Sequence, residues 1–288
     1  ERTTVKFRYI DWQEFEAPGA SDGETIGILT LNRPDRKNAL GPRMAMELDA
    51  IFDEIRHKTV RVAIITGAGE TFCSGGDLKE ETLPLERPED DLGIRGEYGE
   101  LAQWMINDHF HVIAQRALRK LEDLPQPVIA AIDGAAVGAG FEMTLACDLR
   151  IMTDRARVSE IAVPAGFVSE WSCPRNLPKL VGLTLANELI LTGRFVGAAE
   201  AKEIGLINRV VAPEDLMDAA MQMAAQIARM PYLGVRYAKE LLHLYNQENR
   251  TPENYKAELD RVMEIIRTED SAEGIRALLE RRPPRWAE

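Results

Sequence analysis

Residues 127–148, PVIAAIDGAAVGAGFEMTLACD, contain the pattern that decides the fold of this chain. The apolar run Val128–Ile132 predicts a buried strand, and an Asp-Gly pair ends it. Residues 135–140 are almost all Ala or Gly, and a helix is predicted to start at Phe141. A strand, a glycine turn and a helix in this order direct backbone N–H groups at whatever lies in front of the helix. Because Glu142 lies in the first helical turn, the stretch predicts a site for chemistry at a carbonyl.

The glycines also have two other interpretations. Glycines between a strand and a helix often serve close packing alone. A dinucleotide-binding loop is the second alternative, since Gly138 and Gly140 follow a strand. The third glycine of that fingerprint would fall at Met143, so the sequence does not match it.

A second loop of the same kind follows another apolar run. Residues 62–66 predict a buried strand, and residues 72–79, FCSGGDLK, again leave the backbone open to a ligand. Two such loops, each after a buried strand, predict a pair of N–H donors that converge on one oxygen. The irregular residues 80–110, rich in Pro and Gly, are expected to form a lid or a pocket wall.

Composition excludes several classes of protein. The 288 residues are 45% hydrophobic and 28% charged, as in ordinary globular proteins, and the net charge of −12 argues against general nucleic-acid affinity. The three cysteines have no disulfide or metal-knuckle pattern, so we expect a reducing, cytoplasmic location. No apolar run approaches the roughly 18 residues of a membrane span, and no signal-peptide pattern opens the chain, so no membrane association is expected. His109 and His111 have the wrong spacing for one helical face, and no metal site is expected.

Periodicity predicts strands first and helices at the end. The predicted strands are residues 5–9, 25–31, 62–66, 128–132 and 149–152, and the predicted helices are 42–57, 183–191, 214–229, 235–246, 252–268 and 272–280. The fold class is therefore expected to be α/β (α+β). We expect a core domain at residues 1–212 and a helical C-terminal subdomain at residues 213–288.

The two glycine loops together resemble those of the crotonase (enoyl-CoA hydratase/isomerase) superfamily. Asn32-Arg33-Pro34 with Asn38-Ala39-Leu40, residues 72–78 and residues 127–148 are similar to family motifs in the same order and spacing. Residues 191–207 and 271–274 resemble the later motifs. The resemblance covers nearly the whole chain except its start and residues 80–110.

The resemblance implies a spiral of β-β-α turns and a coenzyme A thioester substrate. Coenzyme A would enter as part of the substrate, with no permanently bound cofactor. The helices from residue 214 onward would build a homotrimer or a hexamer, that is, a dimer of trimers. Carried over by position, the amides of Gly76 and Ala139 would form an oxyanion hole. The family usually has glycine where Ala139 stands, and alanine keeps the N–H while it restricts the backbone.

The resemblance also implies where coenzyme A binds. Residues 36–40 with Lys79 would hold its nucleotide end, where phosphates favour positive charge. The implied coenzyme A and substrate-binding residues are Arg36, Lys37, Ala39, Ser74, Asp77, Leu78 and Lys79.

The carboxylates depart from the family pattern in one place. The first hydratase glutamate falls on Glu142, whereas the second falls on Ala162, four residues before Gly166. Glu170 lies four residues after that glycine, where dienoyl-CoA isomerases and 4-chlorobenzoyl-CoA dehalogenase carry an aspartate. We therefore expect Glu142 and Glu170 to be catalytic. Glu170 as a surface residue is one alternative, and Glu160, two residues out of register but on the same strand face as Ala162, is the other.

Three functions remain open at this point. The first is an acyl-CoA lyase or isomerase of fatty or aromatic acid metabolism that stabilises a thioester enolate. The second is a hydrolase of the same fold that cleaves a thioester or a C–C bond. The third is a noncatalytic relative that binds RNA or a protein, for which the helical cations Arg116, Arg119 and Lys120 are the support.

Overall fold

A computed structural model describes residues 7–20, 23–77, 113–165 and 169–245, with the isolated positions 268–270, 273, 280, 282 and 285. The expected pocket wall at 80–110 lies outside the described residues. So do the predicted helices at 252–268 and 272–280, apart from those isolated positions.

The described residues form nine strands and eight α-helices. The strands are β1 Ile10–Glu16, β2 Thr25–Leu31, β3 Val60–Gly67, β4 Val128–Ile132, β5 Ala135–Val137, β6 Leu149–Thr153, β7 Arg157–Ser159, β8 Val196–Gly197 and β9 Arg209–Val211. The helices are α1 Pro42–Arg56, α2 113–122, α3 Ala139–Ala146, α4 Cys173–Val181, α5 Leu183–Thr192, α6 Ala198–Glu203, α7 Leu216–Ala228 and α8 Tyr232–Tyr245, with 3₁₀ turns at Pro34–Arg36 and Pro213–Asp215.

The larger sheet has six strands in the order β1-β2-β3-β4-β6-β9. Strand β1 pairs antiparallel with β2, and the other neighbours are parallel. All five residues of β4 are buried, because α1 and α2 pack on one side of the sheet and α7 on the other. A parallel sheet covered on both faces requires such continuous apolar strands, which is why β3 and β4 are predictable from composition.

The sheet brings the two glycine loops to one edge. Strands β3 and β4 are parallel neighbours, with Ile65 opposite Ala130, so the segments that follow them leave the sheet side by side. A smaller sheet of β5, β7 and β8 continues from that edge and leads to the segment that carries Glu160.

Two of the differences from the sequence predictions concern β1 and α4. The predicted strand at 5–9 is wrong in its described part: the strand begins at Ile10, because the backbone N–H groups of Arg8 and Tyr9 donate to the Glu47 carboxylate instead of to a strand partner. Helix α4, which contains Pro174 and Pro178, is not among the elements predicted from the sequence. A proline in the first turn costs no hydrogen bond, which accounts for Pro174.

The C-terminal helices are confirmed as far as the described residues reach. Helix α7 packs against β3, β4 and β6, and buries Ala220 and Ala224 there. The division of the chain at residues 212 and 213 stays a prediction. No helix in the described ranges is long and apolar enough to cross a membrane.

Candidate active site

The two glycine loops are joined by backbone hydrogen bonds. The N–H of Cys73 donates to the Ala135 carbonyl at 3.0 Å, and the N–H of Val137 donates to the Cys73 carbonyl at 3.0 Å. Helix α3 then starts against the same cysteine: a Cβ on Gly140 would lie 2.4 Å from the Cys73 carbonyl oxygen. This glycine is therefore needed for the close approach of the two loops.

The backbone leaves two N–H groups at neighbouring loop tips. The N–H of Leu40 donates to the Gly75 carbonyl at 2.8 Å, and the Leu40 carbonyl accepts the N–H of Asp77 at 2.9 Å. Gly76 lies between Gly75 and Asp77, so its own N–H points away from Leu40. Ala139 is the first residue of α3, and its N–H has no intrahelical acceptor. A Cβ on Gly138 would lie 3.9 Å from the Cα of Gly75, so the two tips are adjacent.

The loop at residues 33–40 packs against the first of these tips. The fully buried Asn38 amide donates to the carbonyls of Ala68 at 2.9 Å and Thr71 at 2.7 Å. Arg33 and Asp77 form a buried ion pair at 2.8 Å. In this structure Asp77, which the resemblance assigns to substrate binding, therefore links the loop at residues 33–40 to the glycine loop at residues 72–79.

The other expected coenzyme A residues that the structure describes lie around this junction. Arg36 and Lys37 are exposed on the loop, and Lys37 has a left-handed backbone with φ of 53°. Ala39 is buried and Ser74 is half-buried. Leu78 and Lys79 lie outside the described residues.

Glu142 is buried behind the tip formed by Ala139. Only 3% of the residue is exposed, and burial together with the charge of Glu160 raises its pKa to about 9. The N–H of Glu170 donates to one carboxylate oxygen of Glu142 at 3.4 Å, and the Ser172 hydroxyl donates to the Glu142 carbonyl. The other carboxylate oxygen has no hydrogen-bond partner in the described part of the chain.

Glu160 lies beside Glu142, directly after β7. It is 1% exposed, and burial raises its pKa to about 7. The Ala162 N–H and the Cys173 thiol approach its carboxylate and partly lower the pKa, but neither reaches it with full hydrogen-bond geometry. Ala162 itself lies half-buried in the turn that follows.

Glu170 lies on the more exposed side of the cluster that it forms with Glu142 and Glu160. It is half-buried, and its charge contributes to the raised pKa of both Glu142 and Glu160. Trp171, which follows, has φ of 51°, a conformation that bulky residues rarely adopt. This turn aims the Glu170 N–H at Glu142 and starts α4, whose buried Cys173 was not singled out from the sequence.

The basic cluster considered for RNA binding is largely engaged in ion pairs. Arg116 contacts Asp49 at 2.7 Å, and Lys120 contacts Asp49 at 2.9 Å and Asp53 at 2.5 Å. Phosphates would have to displace these carboxylates, so the cluster gives little support to nucleic-acid binding. Within the described ranges, no group of three or more His, Cys, Asp or Glu side chains is arranged to hold a metal ion.

Comparison with known proteins shows one family. The profile described as enoyl-CoA hydratase/isomerase matches residues 21–116 and 96–288. YngF of Bacillus subtilis, named as an enoyl-CoA hydratase/isomerase candidate, is 38% identical over 90% of this chain and 93% of its own. The carnitinyl-CoA dehydratase of Proteus mirabilis is 36% identical over 92% and 95%. The crystal structure of an enoyl-CoA hydratase from Bacillus anthracis superimposes with a TM-score of 0.80 at 32% identity, over 97% of this chain and 99% of its own.

Proposed function

This chain belongs to the enoyl-CoA hydratase/isomerase family, and on that premise we propose that it is a lyase or isomerase that processes an acyl-CoA thioester through an enolate. The observation that carries the proposal is the place of Glu142. Its buried carboxylate lies in the first turn of the helix whose first amide, that of Ala139, adjoins the tip at Gly76.

In the proposed mechanism the thioester oxygen accepts hydrogen bonds from the N–H groups of Gly76 and Ala139. These donors stabilise the negative charge that develops on the oxygen when an enolate forms at the α-carbon. Loss of one such donor commonly raises the barrier by about 3–4 kcal/mol. The free direction of the Gly76 N–H and the helix-terminal place of Ala139 support this role.

Carboxyl groups then move the proton. The raised pKa of Glu142, about 9, keeps its carboxyl protonated near neutral pH, which suits it to donate a proton to carbon. Glu170 is the second carboxylate of this proposal, supported by its place next to Glu142, to whose carboxylate its backbone N–H donates, and by its half-buried position. A carboxylate there would accept a proton from water in hydration, or from the substrate carbon in isomerisation.

Binding and assembly complete the proposal. Arg36 and Lys37, with Lys79, hold the phosphates of coenzyme A, and coenzyme A belongs to the substrate, with no cofactor bound permanently. The enzyme assembles as a trimer or a hexamer. A reducing, cytoplasmic compartment is supported by Cys73, Cys147 and Cys173, which are all free thiols and all buried.

The test is calorimetry followed by turnover. Free coenzyme A and short, long, cyclic and aromatic acyl-CoAs are titrated, with carnitinyl-CoA included because of the Proteus mirabilis relative. Enoyl-CoAs that bind are then assayed by the loss of their conjugated absorbance and, in parallel, for release of free coenzyme A thiol. Loss of absorbance without release of thiol is expected. Loss of absorbance together with an equal release of thiol would favour a thioester hydrolase, and no affinity for any coenzyme A ester would refute the proposal.

A further inference from the structure

We infer that Glu160 shares a proton with Glu142 and so controls which of the two carboxyl groups is charged. Glu160 acts through Glu142 in this inference, as a positioning residue, while Glu170 stands nearer the mouth. The effect on turnover rests on the proposed function, whereas the shared proton itself does not.

The backbone brings Glu160 to Glu142 by a short route. The carbonyl of Ser159, the last residue of β7, accepts the N–H of Gly138 at 2.8 Å. Gly138 is the N-cap of α3, and Glu142 donates its own N–H back to the Gly138 carbonyl at 2.9 Å. Glu160 therefore lies one residue after Ser159, which is hydrogen-bonded to the N-cap of α3, and the first turn of α3 carries Glu142.

Side-chain contacts keep both carboxylates in the same buried space. Ser159 is fixed on its other side by its hydroxyl, which donates to the Gly193 carbonyl at 2.7 Å. Cys173, fully buried at the start of α4, lies against Glu160 and contributes to the electrostatics of Glu142 as well. The same segment is tied to Glu142 by the Ser172 hydroxyl, so helix α4 closes the space over both groups.

In the part of the chain that the structure describes, no cation neutralises two negative charges in this space. The described titratable groups that face the pair are Glu170 and Cys173, and the Cys173 thiol has a raised pKa and stays protonated. Among the described residues, no lysine or arginine forms an ion pair with Glu142 or Glu160. Two buried carboxylates without a cation cannot both ionise at low cost, so one proton stays between them.

The order in which the two carboxyl groups ionise decides which of them is charged. Burial raises the pKa of both carboxyl groups, and the charge of Glu160 raises that of Glu142 further, so the pair keeps a proton on Glu142 once Glu160 is ionised.

The test follows the two carboxyl groups directly. Difference infrared titration of the protonated carboxyl band is compared between the wild type, Glu142→Gln and Glu160→Gln. We expect Glu160→Gln to lower the pKa of Glu142 by about one unit or more, because the neighbouring charge is gone. Glu160→Asp is expected to give an intermediate shift. Glu203→Gln, an exposed glutamate on α6, is the matched control and should change nothing.

The same variants are then assayed for the dependence of kcat/KM on pH with an acyl-CoA that turns over. In Glu160→Gln, the apparent pKa of Glu142 in the pH profile of kcat/KM should fall by the same amount as in the infrared titration. A Glu142 pKa within about 0.3 unit of the wild type would overturn the inference. If Glu160→Gln does not fold, Glu160→Asp takes its place, and an unchanged Glu142 titration in that variant overturns the inference equally. Because the infrared titration needs no substrate, the inference can fail or stand independently of the proposed function.

Discussion

At the scale of single residues, Glu142 and Glu160 make the site less stable than an apolar core would be. Each is almost fully buried, and each has a raised pKa because of that burial. Natural proteins retain such groups where they are needed for chemistry, since a neutral or apolar replacement is often more stable. Their cost should be visible in the dependence of stability on pH.

We predict that Glu160→Gln raises stability at alkaline pH. An acid with a higher pKa in the folded protein binds more protons when folded, so the free energy of unfolding falls as pH rises from the unfolded value of 4.5 through about 7. Glutamine mimics the neutral carboxyl at every pH. The variant should gain little at about pH 5 and on the order of 2 kcal/mol at about pH 8.

Urea unfolding at several pH values measures this gain, with Glu203→Gln as the control that should follow the wild type. A stability difference between Glu160→Gln and the wild type that is the same at every pH would contradict the raised pKa.

The helical position of Glu142 can be predicted from the sequence, whereas the surroundings of other residues near it cannot. Glu142 follows from its position after a glycine turn, because that local pattern fixes its helical turn. The location of Glu160 beside Glu142 could not be decided, since it depends on contacts with Gly138 and Gly193, far along the chain. The buried pairing of Asp77 with Arg33 was missed for the same reason.

At the scale of elements, the site depends on how closely α3 approaches the loop after β3. Gly140 permits this approach, because any side chain there would meet the Cys73 carbonyl. Helix α3 thus places the N–H of Ala139 and the carboxylate of Glu142 in the same turn. The contact of Gly140 with Cys73 therefore positions both groups of the proposed chemistry.

We predict that Gly140→Ala destabilises the protein by about 1–3 kcal/mol, the usual cost of overpacking, and lowers turnover more than coenzyme A binding. The matched control is Gly234→Ala in α8, where an added Cβ would meet only Pro231 at 3.8 Å. The control should be neutral or stabilising by up to about 1 kcal/mol, because alanine favours helix. Thermal unfolding compares the two variants, and equal effects would contradict the close-approach argument.

At the scale of the whole molecule, the expected mixed α/β fold and the family resemblance are confirmed. The buried strands β2, β3 and β4 were predictable because a parallel sheet covered on both faces needs continuous apolar runs. The short strands β5, β7 and β8 were not, since three-residue pairings are set by tertiary contacts and leave no periodicity.

Assembly into a trimer or a hexamer is the prediction at this scale. Leu183, Leu191 and Leu242 are each about two-thirds exposed in the single chain, at 66%, 65% and 72%. Apolar surface of this kind favours association. Sedimentation should give a multiple of three times the 32.2 kDa chain. A monomer at micromolar concentration would contradict the prediction.

The central claim is that the protein forms an enolate at the α-carbon of an acyl-CoA with Glu142 as the acid–base group. The most direct measurement is exchange of the α-proton for deuterium in D₂O, followed by NMR on a saturated acyl-CoA that the protein binds. The wild type should exchange the proton, and Glu142→Gln should do so about 10²-fold more slowly or worse while binding by calorimetry is kept. Exchange by Glu142→Gln at the wild-type rate, or none by a wild-type protein saturated with acyl-CoA, would contradict the claim.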